Sequence, residues 1–290
     1  MIEHLVLSGG SYFGLYQLGV LKYLSEVEYY TIHQIKTIYA TSVGSLIGAI
    51  LSLKIPMKDI EEYFIHKPWH KYICVETDKL INSYYKKGLL DRSFFISILE
   101  PLLNTVDLDI TITLKEFYNY SKIKLCIIVY NVNKNQCVCI DYLSHPELPL
   151  LDAIYMSCSI PVVFQPLLYN GDYYLDGGIE DNYPVYKCFK EESAKVETIL
   201  GIQVHNPEKQ HESSKDNIMN FGIYVIHQLI DRIQTKKQVK GVNEIIIPTN
   251  GFSVDALIDT IQEKTTRENS LDTGYKYGQV YYLSNQATNE

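Results

Sequence analysis

Short apolar runs alternate with helical hydrophobic patterns through the N-terminal part of the chain, and that rhythm predicts strand, loop, helix, strand, turn, helix. Leu5 to Leu7 forms the first strand, and Ser8 to Ser11 is a loop of small residues. Gly14 to Leu24 places Leu15, Leu18, Val20, Leu21 and Leu24 on a helical period. Ile35 to Ala40 is rich in strand formers, and Leu46 to Leu53 is apolar nearly all round, so the second helix is expected between layers. Alternation of this kind points to a mostly parallel sheet with helices on both faces.

Further along, about Pro56 to Tyr120 is mainly helical and more polar, with no strong strand, and suits a flap over the sheet. Lys122 to Tyr130 and Gln136 to Tyr142 read as two strands around an Asn-rich turn, Asn131 to Asn135. Leu151 to Ser159 is a small-residue helix stopped by Pro161, and Tyr173 to Leu175 leads into Asp176-Gly177-Gly178. Thr198 to His205 is another buried strand, and Pro207 to Asp216 is linker-like. A long helix from about Asn217 to Lys240, a strand at Glu244 to Ile247 and a polar C-terminal helix complete the pattern. The simplest partition is one α/β unit over residues 1–205, with a helical extension over 206–290 packed on the same domain.

Composition narrows the function. A chain of 290 residues, 46% hydrophobic, can bury a large core. The formal net charge of −8, with no massed positive blocks, argues against a nucleic-acid partner and against steering toward anionic membranes. The 25 tyrosines supply amphipathic area, useful near lipid headgroups and equally at home in a core. The six cysteines show no zinc-ligand spacing, and Cys137 and Cys139 fall on one face of a strand. His4 and Ser8 to Gly10 interrupt the apolar start, so no secretory signal is expected. Free thiols and a cytoplasmic location follow from that expectation. No apolar run is long enough to predict a membrane span.

Three short elements carry possible chemistry. Ala40-Thr41-Ser42-Val43-Gly44 lies between an apolar strand and an apolar helix. A nucleophile elbow needs this layout, because the sharp turn exposes the Ser hydroxyl and leaves space only for small flanking residues. A serine capping a buried helix would look the same. Ser8-Gly9-Gly10-Ser11-Tyr12-Phe13-Gly14 precedes the first helix, where backbone amides can hold an oxyanion. A plain turn or a phosphate loop is the competing reading, and the nucleotide version lacks both the G-x-G-x-x-G run and the acidic residue at the next strand's end. Asp176, before Gly177 and Gly178, stands at an exposed strand end, either as a turn residue or as a carboxylate able to take the Ser42 proton.

Together these elements resemble the patatin-like phospholipase family. The likeness runs over about residues 2 to 205. It also takes in Gly88-Leu89-Leu90-Asp91, the stretch from Asp152 and Ala153 through Ser157 to Pro161, Phe164 and Pro166, and Asn182, Pro184 and Val185 after Asp176. The resemblance implies a three-layer α/β/α sandwich with a mostly parallel central sheet. It implies a Ser–Asp dyad without a catalytic His, a metal or a cofactor, acting on acyl esters of phospholipids or neutral lipids with peripheral contact at a lipid interface. By position Ser42 is the nucleophile and Asp176 the general base. Gly9, Gly10, Ser11 and Gly14 form the oxyanion segment, with Ala40, Gly44, Gly177 and Gly178 in support. Phe64, Trp69, Phe94 and Phe95 are candidates for an acyl channel, or for ordinary core.

Three positions depart from the family pattern. Ser11 stands where a third glycine is usual, Phe13 where Arg or Lys is usual, and Ala40 where the elbow usually has Gly. They bring in a second reading, a catalytically weakened lipid-binding or interaction protein on the same fold. Acyl transfer to another alcohol would use the same residues. A Ser–Asp–His triad through His205 or His227 is the mechanistic rival.

Overall fold

Strand alternation sorts the apolar side chains into two cores. Leu5, Leu7, Ile38 and Ala40 enter the larger core on one face of the sheet, while Val6, Tyr39 and Cys126 enter a smaller one on the other. The computed structural model describes residues 1–71, 88–206, 225, 228–230, 232, 237–251 and 253–287. The chain runs through β1 (His4–Leu7), α1 (Gly14–Glu26), β2 (Thr37–Thr41), α2 (Val43–Ser52) and α3 (Met57–His66). It continues as β3 (Gly88–Leu90), α4 (Ser93–Asn104), α5 (Leu114–Ser121), β4 (Lys124–Asn131), β5 (Gln136–Ile140) and α6 (Leu150–Cys158). Next come β6 (Val162–Phe164), β7 (Leu167–Tyr169), β8 (Asp172–Asp176), α7 (Val185–Glu191) and β9 (Ile199–His205). Then β10 (Asn243–Pro248), α8 (Val254–Gln262) and α9 (Lys264–Ala287) follow.

Among these elements the main sheet has the order β10-β9-β1-β2-β4-β8-β7, with β5 also on β4. Its β10-β9-β1-β2-β4 portion is parallel, whereas β5, β8 and β7 join antiparallel. With α7 on the face of Val6 and Tyr39, and α1, α2 and α6 on the other, the architecture is the expected three-layer sandwich.

Register brings the three motifs together. Leu7 lies opposite Ala40, so the loop after β1 and the turn after β2 leave the sheet side by side. Thr41 lies opposite Ile128 on β4, and Asp176, at the end of β8, lies opposite Val129 on that same strand. Ser42 and Asp176 therefore flank one end of β4.

Two expectations need adjustment. The stretch from Pro56 to Tyr120 contains a strand after all, β3, which pairs with β6 in a separate two-stranded sheet. The Gln165 amide donates to Leu90 O at 2.9 Å, and Gly88 admits the Phe164 backbone at van der Waals range, so three residues suffice. The long helix expected from Asn217 to Lys240 lies mostly outside the described residues, and residues 237–240, which are described, are not helical. No described helix is long and apolar enough to cross a membrane.

After β9 the chain returns to the same body. β10 extends the parallel edge, and α9 lies along α1. A methyl at Gly19 would collide with the Leu271 carbonyl, and one at Gly274 with that of Tyr16, so these helices meet backbone to backbone.

Candidate active site

Ser42 sits between β2 and α2 with φ 53° and ψ −130°, a conformation that L-residues rarely hold without support. The support is polar and local. Its amide donates to Ser157 Oγ at 2.8 Å, and Ser157 Oγ in turn donates to Ile128 O at 2.6 Å. Its carbonyl accepts from the Ser45 amide at 2.8 Å and from Ser45 Oγ at 2.6 Å. Thr41 Oγ1 donates to Asp181 O at 2.8 Å, fixing the residue before the turn. Gly44 is needed because a Cβ there would stand 2.5 Å from Leu7 O and 2.7 Å from Ser8 O, where α2 crosses the end of β1. Ala40 is accommodated, since the facing position on α2 is Gly48, whose own Cβ would still clear the Ala40 methyl at 3.9 Å.

The glycine loop presses against this turn. The Ser8 hydroxyl accepts from the Val204 amide at 2.8 Å, and Gln17 Nε2 donates to Ser8 O at 2.8 Å. A Cβ on Gly9 would lie 3.1 Å from Ser42 Cβ, so the loop touches the serine itself. Not every amide in the loop is available. Gly9 N–H donates to Asn182 O at 3.0 Å, and Gly14 N–H is taken by the Ser11 and Tyr12 carbonyls. The Gly10 and Ser11 amides have no hydrogen-bond acceptor among the described residues. Ser11 holds φ 51°, the left-handed geometry for which a third glycine would be suited. Phe13 is half-buried, with ring centroids 4.4 Å from Tyr12 and 5.3 Å from Tyr16, so an apolar cluster occupies the place of a cation.

Asp176 ends β8. Its amide donates to Ser159 O at 3.0 Å, and its Oδ1 accepts the Gly178 amide at 2.7 Å. Gly177 passes so close to Ile128 O that no side chain fits there. Ser42 and Asp176 are only 5% and 6% exposed, which removes most of the water that would stabilise a carboxylate. Burial pushes the Asp176 pKa up to about 6, opposed by the neighbouring Ser42 hydroxyl and by the Gly178 amide, which both favour the ionised form. Cys158 is the third neighbour, and its thiol is held well above its ordinary pKa by burial and by the Asp176 charge. Ser157 was absent from the expected site, because a hydrogen bond spanning 115 positions has no local sequence signature.

Two spaces meet at Ser42. An apolar cavity of about 130 Å³ is lined by Ser42, Leu46, Phe64, Trp69, Phe94 and Phe95, so all four candidate channel aromatics face it. A polar cleft of about 700 Å³ is lined by Gly9, Gly10, Ser42, Asp176, Asn182 and Gln203 among others. His205 borders that cleft at the exposed end of β9, and His227 lies outside the described residues. On the opposite face of the sheet, Cys126, Cys139 and Asp141 bring ligand-type atoms within 4.8 Å of one another. Asp141 is already engaged there by the Leu143 and Ser144 amides and by the Lys124 ammonium 3.9 Å away, which opposes a bound cation.

An α/β sandwich with a serine on a strained strand-to-helix turn, beside a glycine loop and a buried aspartate, defines a recognisable class. The patatin-like phospholipase family profile matches residues 5–188, and the chain belongs to that family. It is 28% identical over 227 residues to Probable lipid hydrolase 463L of Invertebrate iridescent virus 6, covering 74% of this chain and 76% of that protein. It is equally 28% identical, over 232 residues, to Uncharacterized protein R571 of Acanthamoeba polyphaga mimivirus, covering 78% and 74% of the two chains. The crystal structure of VipD from Legionella pneumophila has a similar fold, with a TM-score of 0.58 at 15% identity over 98% of this chain and 67% of that one.

Proposed function

We propose that this protein is a serine lipid acyl hydrolase working through Ser42 and Asp176. The observation that carries the reading is the pairing of a strained, buried serine with a desolvated aspartate where an apolar cavity and a polar cleft meet. The family membership and the name of the iridescent virus relative support the same substrate class.

In the first step Ser42 Oγ attacks the ester carbonyl carbon as its proton passes to Asp176. A carboxylate of ordinary acidity is a weak base for an alcohol, and desolvation brings Asp176 closer to the working pH. Negative charge gathers on the carbonyl oxygen, where the uncommitted amides of Gly10 and Ser11 are the donors to meet it. Gly9 and Gly14, whose amides are bonded elsewhere, shape the loop instead. Collapse expels the alcohol, which takes the proton from Asp176 and leaves the acyl group on Ser42. Water then attacks this ester with Asp176 again as base. The acyl chain occupies the apolar cavity, and the leaving alcohol with its polar group occupies the cleft. The substrate is a phospholipid or an acylglycerol met at a lipid interface, and residues 1–205 carry the chemistry.

A fluorophosphonate probe should form an adduct on Ser42, and the protein should release fatty acid from phospholipid vesicles or nitrophenyl esters. Ser42→Ala should lose both. Full hydrolysis by that variant overturns the assignment, and a wild type that takes no adduct favours a lipid-binding protein on the same fold.

A further inference from the structure

The geometry points to residues 253–267, beyond the part of the chain that matches the family, as the wall that sets acyl-chain length. This inference rests on the hydrolase reading above. Leu257, Thr260, Ile261 and Arg267 line the apolar cavity that opens at Ser42, facing Leu46 and Ile47 of α2. The α2 side belongs to the main core and is fixed by it. The other side comes from a C-terminal segment whose Ile261 and Leu257 pack against the same core and which polar bonds also tie to the body.

Those bonds hold the segment at both ends. At its start, the hydroxyl of Tyr12, the residue after Ser11, donates to Gly251 O at 3.3 Å. Ser253 Oγ then caps α8 by accepting the Ala256 amide at 3.4 Å. At its end, Arg267 is 5% exposed and gives its guanidinium to four main-chain carbonyls. Nε reaches Phe64 O at 3.0 Å and Nη2 reaches Ile65 O at 2.9 Å, both in the last turn of α3. Nη1 reaches Thr260 O at 3.0 Å and Ile261 O at 2.9 Å, both in the last turn of α8. One cation thus caps two helix C-termini, where unpaired carbonyls and the negative ends of two dipoles favour a positive charge. A buried guanidinium is tolerable in an apolar wall on these terms. Lysine, a compact ammonium with three donors, cannot span the same four acceptors.

The cavity is small, about 130 Å³ against the roughly 300–1,000 Å³ of common ligand pockets, so the wall position decides how many methylenes fit. Arg267 is a positioning residue in this scheme, while Leu257, Thr260 and Ile261 meet the chain. The Tyr12 bond adds that the wall is registered to the oxyanion loop.

The test compares kcat/KM for nitrophenyl palmitate and nitrophenyl butyrate, because their ratio cancels losses common to both substrates. Ile261→Ala should raise the ratio about tenfold and Ile261→Trp should lower it about tenfold, the range typical for fitting or excluding methylenes in an apolar pocket. Arg267→Lys should raise KM for the palmitate ester more than for the butyrate ester. Leu257→Ala, at a half-buried position, serves where the Trp variant fails to fold, and it should raise the ratio. A parallel measurement in the Ser42→Ala background, displacement of a fluorescent fatty acid by butyrate, octanoate and palmitate, should show the same reordering without any turnover. Wild-type turnover with ratio and displacement order unmoved in every variant overturns the wall. Reordered displacement without wild-type turnover supports the wall and rejects the hydrolase.

Discussion

Ser42 and Ser11 hold nearly the same left-handed backbone angle, φ 53° and 51°, on neighbouring loops of one site, yet for different reasons. Around Ser42 both peptide groups are hydrogen-bonded, Gly44 clears the passage of β1, and the next residue starts a buried helix. The strain there positions a side chain that glycine lacks. Around Ser11 the hydroxyl has no hydrogen-bond partner among the described residues, and what the loop presents is the amide. A glycine would deliver that amide without the roughly 1–2 kcal/mol that left-handed geometry costs an L-residue. Unusual angles therefore do not by themselves mark the working residue. The hydrogen-bonded surroundings do.

Substitutions at these positions separate the two roles. Ser42→Ala should lower hydrolysis by about 10⁴-fold or more, measured by fatty-acid release, because the proposed nucleophile and base would act as a unit. Asp176→Asn should lower kcat by about 10²–10⁴-fold. The wild-type kcat/KM should fall about tenfold per unit below pH 6 and level off above, since the carboxylate must be ionised to accept a proton. The same group gives a stability prediction of opposite sense. Its folded pKa, about 6, lies above the unfolded value of about 3.9. Ionisation therefore costs the native state nothing below about pH 3.9, and the cost is complete above about pH 6. At pH 8 Asp176→Asn should be more stable than wild type, on the order of 2 kcal/mol by urea denaturation, and this gain should vanish at pH 4. Ser157→Ala strands the buried Ser42 amide and should lower stability by about 1–3 kcal/mol, read in the same titration. The smallest effect belongs to Ser11→Gly, which should raise the thermal midpoint by about 2 °C in calorimetry. A fall in that midpoint would mean that the Ser11 side chain contributes what the comparison denies it.

Much of this was readable in the chain itself. Strands with strong apolar runs, such as Leu5 to Leu7, Lys122 to Tyr130 and Thr198 to His205, declare themselves because burial on both faces demands such runs. The three motifs of the candidate site were legible by residue type, since a tight turn admits only small neighbours. What escaped was short or long-range. The β3–β6 pair is three residues per strand and depends on a partner far along the chain. The β7–β8 hairpin did carry a signal, Asn170-Gly171, with φ 51° and 85°, the pair favoured in two-residue turns. That turn sends β8 back antiparallel to β4 and delivers Asp176 to the site. Which loop amides are already spent was not legible, because Asn182 O comes from a distant segment to take the Gly9 donor.

The glycine crossing of α1 and α9 has a consequence for how the molecule comes into being. The glycine loop is built on the N-terminal end of α1, and one flank of α1 rests on the backbone of α9. A ribosome delivers Ser42 and Asp176 long before residues 264–287 emerge. Until then α1 lacks the surface it was shaped to meet, and the Arg267 cap is missing as well. A chain cut short near residue 260 lacks both supports, and a fluorophosphonate probe should label its Ser42 more weakly than that of the 290-residue chain.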